Sequence, residues 1–127
     1  MIGFANMMEK ELSKYPQVHI ETTHTIHDGV YTRTILIPKG VTIVGSHIKI
    51  PTTLICYGHL DIYFKDGIEK VQGFRQFECE ADRKQVMEAK EDSYVTMLFA
   101  TKAKTAEEAE EEFTNEYDKL ISRKEKR

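Results

Sequence analysis

Arginine and histidine side chains recur at alternating positions of two short β-like runs, where they could bind an anion or transfer a proton. Arg33 shares one face of its run with apolar residues, and His47 does the same in the next run. A buried arginine requires an anionic partner. That partner is either a small ligand with a phosphate or carboxylate group, or an acidic side chain such as Glu78, Glu80 or Asp61.

A ligand in the interior of a small barrel is one consequence of this pattern. Small β-barrels that are not filled by side chains leave room for one organic molecule. The polar residues expected to contact such a molecule are Arg33, His47, Lys49, Tyr57 and Arg75. Because most of these side chains are cationic, the expected ligand is a small anion. The pattern identifies no catalytic residue.

Strand and turn signals fill the chain from residue 17 to about residue 101. Polar and apolar residues alternate between residues 18 and 27, and turns follow at Asp28-Gly29, Pro38-Lys39-Gly40 and Lys65-Asp66-Gly67. Further strands are predicted at residues 31–37, 41–44, 53–57, 59–64, 68–71, 73–79, 85–89 and 94–101. Many short strands at this spacing indicate a barrel or sandwich, and residues 1–127 form a single domain.

Two helices flank the strands. Residues 1–15 place Phe4, Met8, Leu12 and Tyr15 at helical spacing, and Pro16 ends the helix. A second, amphipathic helix is predicted at residues 105–125, where Thr105 and Glu108 form a capping box. Its apolar stripe consists of Ala106, Ala109, Phe113, Tyr117, Leu120 and Ile121. We expect this stripe to pack on the barrel or on a second subunit of a homo-oligomer.

Composition argues against several classes of partner. A net charge of -3 disfavours broad binding to nucleic acid or to an anionic membrane, and no apolar run approaches the ~20 residues needed to span a bilayer. The first residues lack a secretory signal, and Cys56 and Cys79 show no Cys-x-x-Cys spacing. We therefore expect two free, buried thiols in a reducing cytoplasm. Nucleophile-elbow and phosphate-loop motifs are also missing.

A series of turn and strand residues follows an order that is found in a known family. These residues are Thr22-x-His24, Asp28-Gly-Val-Tyr31-x-Arg33, Ile37-Pro-Lys-Gly40, Gly45-x-His47, Gly58, Asp66-Gly67, Gly73-Phe74, Phe77, Ala81-Asp-Arg-Lys84 and Glu91-Asp92-Ser-Tyr94. The order resembles small single-domain cupins, in particular those of tailed bacteriophages, over residues 20–101. The resemblance implies a cupin-like antiparallel β-barrel of the jelly-roll type, in a bacterial host cytosol.

The metal-binding motif that the resemblance would imply is degenerate. Metal-binding cupins usually present His-x-His and then Glu in a first motif, and another His in a second, which suits Fe, Mn, Ni or Zn. Here His47 matches the first histidine, whereas Lys49 stands two residues on and the second motif contains no histidine. A reduced site remains conceivable, made of His24 and His47 with Gln85 or Glu88 as the third ligand.

Three functions follow as hypotheses. The favoured one is a binding protein without a cofactor, which acts through a small anionic ligand or through a protein partner from host or phage. The first alternative is a metalloenzyme with the reduced site around His24 and His47. The second is a metal-independent, sugar-modifying cupin with His47 as base, in which Tyr57 or Tyr94 returns the proton and Arg33 stabilises the anion.

Overall fold

The computed structural model describes residues 2–120, which form a sheet of seven antiparallel strands with two helices. The elements are α1 (Ile2–Leu12), β1 (Glu21–His27), β2 (Val30–Ile37), β3 (Thr42–Val44), β4 (Thr52–Phe64), β5 (Gly67–Cys79), β6 (Val86–Ala89), β7 (Ser93–Ala100) and α2 (Ala106–Phe113). A single 3-10 turn follows at Tyr117–Lys119. No helix in residues 2–120 is long and apolar enough to cross a membrane.

The sheet curls because β4 is shared by two different neighbours along one edge. The strand order is β1-β2-β7-β4-β6-β3, and β5 pairs with the other edge of β4. Residues 53–57 of β4 pair with β7, whereas residues 60–63 pair with β6. β5 follows β4 along its whole length, from Thr52 opposite Cys79 to Phe64 opposite Gly67. The resulting half-barrel confirms the predicted mainly-β, cupin-like architecture.

Gly58 lies where β4 passes from one neighbour to the other. Its φ of +147° is a conformation that residues with a side chain rarely adopt, and an added Cβ would lie 2.7 Å from Ser93 Cβ and 2.8 Å from Ser93 Cα. Ser93 Oγ accepts a hydrogen bond of 3.0 Å from the backbone N–H of His59. Glycine therefore allows the start of β7 to approach the bend closely.

Two pairs of predicted strands are in fact single long strands. The runs at 53–57 and 59–64 are the two halves of β4, and those at 68–71 and 73–79 are the two halves of β5. The predicted breaks fall at Gly58 and at Gln72, next to Gly73, and in the structure these two glycines have φ of +147° and +89°. The ladder continues through both glycines because each bends the strand without removing its cross-strand partner.

The second helix is much shorter than predicted. Thr105 Oγ1 accepts a hydrogen bond of 3.2 Å from the Glu108 N–H, as the capping box requires, but the helix ends at Phe113 instead of continuing to residue 125. Thr114 is extended and fully buried, and the Lys49 N–H donates to the Phe113 carbonyl at 2.8 Å. Tertiary contacts thus stop the helix. The predicted residues 121–125 lie outside the described residues.

The apolar stripe that begins in α2 packs on its own barrel, as far as its described residues show. Ala109, Phe113 and Leu120 are buried, and Phe113 contacts Tyr31 and Phe99 through their rings. The N-terminal helix is more exposed: it ends at Leu12, and only Ala5 is buried within it. Tight turns involving Ser13, Lys14 and Tyr15 follow before Pro16, so the helix is three residues shorter than predicted.

Candidate functional site

Arg33 occupies the inner face of the barrel, but its charge is already neutralised. Cross-strand pairing places it between His24 and Met97. Its guanidinium donates to Glu110 Oε2 of α2 at 3.0 Å, and the two side chains are only 10% and 3% exposed. The partner is therefore Glu110 and none of the three acids suggested by the sequence. No local sequence pattern could have indicated this contact, because Arg33 and Glu110 are 77 positions apart in the chain.

Aromatic rings close the interior around this ion pair. Tyr31 is fully buried, shares a hydrogen bond of 2.7 Å with His24 Nδ1 and receives one of 3.5 Å from Arg33. Burial raises the pKa of Tyr31, and the neighbouring Arg33 opposes this shift. Phe99 and Phe113 pack against its ring, and the Arg33 guanidinium lies 5.7 Å from the Phe113 ring centre. This end of the barrel is filled by side chains.

His47 and Lys49 lie in the segment between β3 and β4, where they bind the chain that follows α2. The His47 N–H donates to Glu116 Oε1 at 2.7 Å, and Lys49 Nζ donates to Asn115 Oδ1 at 2.8 Å. His47 Nε2 is buried without a hydrogen-bond partner among the described residues, although Asp82 Oδ1 lies 3.5 Å away. Both residues therefore anchor a neighbouring segment.

A buried lysine, which sequence reasoning missed, ties three segments together. Lys84 is 1% exposed, and its Nζ lies 3.0 Å from Glu9 Oε1 and 3.4 Å from Glu116 Oε2. Burial would raise the pKa of Glu116, but the His47 N–H, Lys84 and Lys119 together hold this pKa below its ordinary value. The cluster connects α1 and the chain after α2 to the barrel.

Arg83 is the second cationic residue that sequence reasoning missed, and its environment differs from that of Arg33. Its guanidinium donates to the carbonyls of Ile50 (3.3 Å) and Glu80 (2.7 Å), to Thr52 Oγ1, and to Gln85 Oε1 (3.3 Å). All of these acceptors are neutral, and no carboxylate of the described residues forms an ion pair with it. Burial lowers the pKa of Arg83. The amide Nε2 of Gln85, a residue only 6% exposed, is buried without an acceptor.

Tyr57 and Arg75 do not join the other predicted ligand-binding residues. Tyr57 is on the outer face of the sheet, beside Phe74 and Tyr94 on the two neighbouring strands. These three rings are 62%, 60% and 51% exposed. Arg75 lies 3.5 Å from Glu69 and 4.8 Å from the Phe77 ring centre. The five predicted residues thus occupy four separate places, since Tyr57 and Arg75 lie on opposite faces of the sheet.

The residues expected to hold a metal ion are not brought together either. His24 is on β1 and bonded to Tyr31, whereas His47 precedes β4 and Glu88 pairs with Lys90. Within residues 2–120, no three His, Cys, Asp or Glu side chains are placed to bind a metal ion. His47 and Gln85 each have a buried Nε2 atom, but His47 contacts Glu116 whereas Gln85 contacts Arg83. The donor set therefore does not fit the metal that cupins often carry.

The described surface includes at least two open depressions. The larger, of about 680 Å³, is lined by Gly29, Thr101, Lys102 and the α2 residues Glu108 and Glu112, among others. The smaller, of about 310 Å³, is lined by residues that include Thr52, Glu78, Cys79, Glu80 and Phe99. Thr52 Oγ1 and the Glu80 carbonyl also accept hydrogen bonds from the Arg83 guanidinium, whereas neither Arg83 nor Gln85 lines the smaller depression.

Comparison with known proteins identifies the architecture. No protein-family model and no curated protein matches the sequence. Among solved structures, ectoine synthase from P. lautus is similar with a TM-score of 0.58 and 15% identity, over 78% of this chain and 76% of that chain. A cupin-2 domain containing protein from Shewanella frigidimarina gives 0.51 and 15%, over 73% and 91%.

The cupin domain of Schizosaccharomyces pombe Cnp3 is also similar, with a TM-score of 0.52 and 13% identity, over 68% of this chain and 70% of that chain. The proteins named differ in function, and at these identities the likeness concerns the fold alone. Taken with the curled antiparallel sheet and the long β4–β5 hairpin, these matches establish that the chain has the fold of a small cupin.

Proposed function

We propose that this chain is a phage-type cupin-like binding protein without catalytic chemistry of its own, which holds a small carboxylate beside Arg83. One observation carries the proposal: a mostly buried guanidinium bonded only to neutral acceptors lies next to a buried amide donor without an acceptor. The location that goes with it is the cytosol of an infected bacterium. The proposed anion site is therefore at Arg83 and not, as expected from the sequence, at Arg33, whose charge Glu110 neutralises.

The orientation of the Gln85 amide follows from its contact with Arg83. The guanidinium can only donate, so the atom at 3.3 Å from Arg83 Nε must be the amide oxygen. The NH2 group of the same amide is consequently the donor left without an acceptor, beside the positive charge. A carboxylate offers two oxygens to two neighbouring donors, and hydrogen bonds between charged groups are about twice as strong as neutral ones.

Charges around the smaller depression limit the ligand to a monoanion. Its volume of about 310 Å³ suits a small molecule, and it opens beside Thr52 and Glu80, which bind Arg83. Glu78 and Glu80 are exposed and also line it. Two carboxylates in the lining of the depression disfavour a phosphate dianion. The proposal therefore concerns a short carboxylate such as acetate or formate.

The test is thermal unfolding in sodium acetate and sodium formate, with chloride at equal ionic strength as the reference. A ligand at one hundred times its Kd stabilises the folded state by about 2.7 kcal/mol, which corresponds to a Tm rise of roughly 5 °C or more for a domain of this size. The Gln85→Glu variant supplies a carboxylate in place of the amide. We expect this variant to be more stable without acetate and to lose the response to acetate.

The matched control is Asn6→Asp, which makes the same amide-to-acid change at an exposed position of α1. It should keep the response of the wild type. An unchanged Tm for the wild type in every carboxylate, relative to chloride, would overturn the proposal. So would a Gln85→Glu variant that still responds to acetate as the wild type does.

A second candidate function, binding to a protein partner, is favoured by the exposed aromatic rings. Tyr94, Tyr57 and Phe74 lie side by side on β7, β4 and β5, and each is at least half exposed. Aromatic residues are enriched in protein interfaces relative to the rest of the protein surface. The partner in this hypothesis is a protein of the phage, of the host, or a second copy of the chain.

A further inference from the structure

The free edge of β5 is the longest unpaired strand edge in the described part of the chain. β5 has 13 residues, pairs only with β4, and makes no other backbone hydrogen bond to the described residues. An exposed edge presents a row of N–H and C=O groups to another chain. Proteins usually protect such edges with proline, short length, charged side chains or a covering segment, and β5 carries the charged residues Glu69, Lys70, Arg75 and Glu78, which a pairing register has to accommodate. β5 contains no proline and is mostly exposed.

We propose that two copies of this chain pair edge to edge through β5, antiparallel, with Phe74 opposite Phe74 of the second copy. This proposal rests on the second candidate function and names its partner. In such a dimer the two-fold axis is normal to the sheet, and side chains that lie directly opposite each other point to the same face. Because faces alternate along a strand, the axis must pass through a residue, which then lies opposite the same residue of the second copy. Each possible register is therefore named after the residue at the axis. The side chains of β5 decide between these registers.

The register centred on Phe74 pairs complementary side chains on the outer face. Lys70 faces Glu78 of the second copy, and by symmetry Glu78 faces Lys70. Gln72 faces Gln76, which permits amide hydrogen bonds, and the two Phe74 rings meet at the axis. The row of Tyr94, Tyr57 and Phe74 then continues into the same row of the second copy.

The inner face accepts the same register. Val71 faces Phe77 of the second copy, which joins two apolar side chains, and Gly73 faces Arg75. Nothing in the described chain lies within 4 Å of a Cβ placed at Gly73, so the long Arg75 side chain of the second copy has room. Main-chain hydrogen bonds along the edge supply the affinity, as in other cases of strand addition.

Other registers centred on a residue of β5 are less favourable. The register centred on Gln72 would pair Glu69 with Arg75, but these already form an ion pair at 3.5 Å within one chain. It would also place Lys70 opposite Phe74. Registers centred on Gly73, Arg75 or Gln76 pair no opposite charges within β5 (Gly67–Cys79). Only the Phe74 register places a cation opposite Glu78, which forms no ion pair in the described chain, although Lys70 also lies 3.7 Å from Asp61 of its own chain.

Sedimentation velocity between about 5 and 200 μM is the first test, since an edge contact of this length is small and forms a weak dimer. We expect the dimer fraction of the wild type to rise over this range. Glu78→Lys should raise the dimer Kd by about tenfold or more, because both symmetry-related pairs become repulsive. Glu78 forms no ion pair within the described chain, so the monomer Tm should be unchanged in chloride; acetate and formate are left out because Glu78 also lines the smaller depression. The double variant Lys70→Glu/Glu78→Lys should restore the dimer, and the monomer Tm of Lys70→Glu alone measures the separate cost of losing the 3.7 Å contact between Lys70 and Asp61.

Cysteine crosslinking fixes the register independently. Phe74→Cys places two thiols opposite each other at the axis, at a separation of about 4.5–5.5 Å between Cβ atoms, close enough for a disulfide after small adjustment. Gln76→Cys, two residues along the same face, is the matched control, because it faces Gln72 and not itself. The native Cys56 and Cys79 are buried, so background crosslinking is low.

We expect Phe74→Cys to form a covalent dimer at least tenfold faster than Gln76→Cys under mild oxidation. A wild type that stays monomeric at 200 μM would overturn the proposal. So would a dimer that is insensitive to Glu78→Lys and in which both cysteines react equally, since the contact would then lie elsewhere. None of these outcomes depends on carboxylate binding, which is measured on thermal stability alone.

Discussion

Replacing Glu110 by glutamine should destabilise the fold strongly, because it removes the carboxylate that pairs with the buried Arg33. The Arg33 and Glu110 side chains are 10% and 3% exposed, and their nitrogen and oxygen atoms lie 3.0 Å apart. Removal of one partner of a buried ion pair typically costs 3–5 kcal/mol, since the remaining charge is left without compensation. The Tyr31 hydroxyl at 3.5 Å and the Phe113 ring soften the loss. We therefore expect about 3 kcal/mol for Glu110→Gln.

Urea unfolding at pH 7, followed by far-UV circular dichroism, measures this loss. Removing both charges in Arg33→Met/Glu110→Leu should cost far less than either single change, because no buried charge remains. The control Glu111→Gln alters an exposed acid on the same helix and should change the free energy of unfolding by less than about 1 kcal/mol.

A cost below about 1 kcal/mol for Glu110→Gln would refute the reasoning. It would mean that Arg33 is solvated or paired with another anion, and the interior of the barrel would again be open to a ligand. A double variant as unstable as the single one would refute it as well, since packing and not charge would then explain the loss.

Two further predictions concern the bend in β4 and the buried thiol next to it. Gly58→Ala should lower the free energy of unfolding in urea by at least about 3 kcal/mol, because the new Cβ would lie 2.8 Å from the Ser93 Cα at a φ of +147°. The control is Gly3→Ala, at a helical position with no atom nearby. Equal effects of the two substitutions would contradict the close approach of Ser93 to Gly58. Burial raises the pKa of Cys56 to about 12, so its contribution to stability is complete below the unfolded pKa near 9 and is lost as the pH rises toward 12. The wild type should lose about 2 kcal/mol more than Cys56→Ala between pH 8 and pH 10.5, and parallel pH profiles would contradict this assignment.

The sequence predicted the elements of the fold because their signals are local. Alternation of polar and apolar residues located the strands, and Asp66-Gly67 marked the β4–β5 hairpin. Thr105 and Glu108 located the start of α2. The order of turns then indicated a cupin-like barrel, which the structure and its solved neighbours confirm.

The position of each charged side chain was decided by tertiary structure. Alternation placed Arg33 on the inner face but could not identify Glu110, 77 residues away, as its partner. Lys84 and Arg83 are adjacent in sequence, yet one is neutralised by acids from α1 and from the chain after α2, and the other meets only neutral acceptors. Successive residues of an extended chain face opposite sides, so each meets a different part of the fold. The free energy of a buried charge depends on those distant neighbours, and therefore on how the sheet curls and where α2 ends.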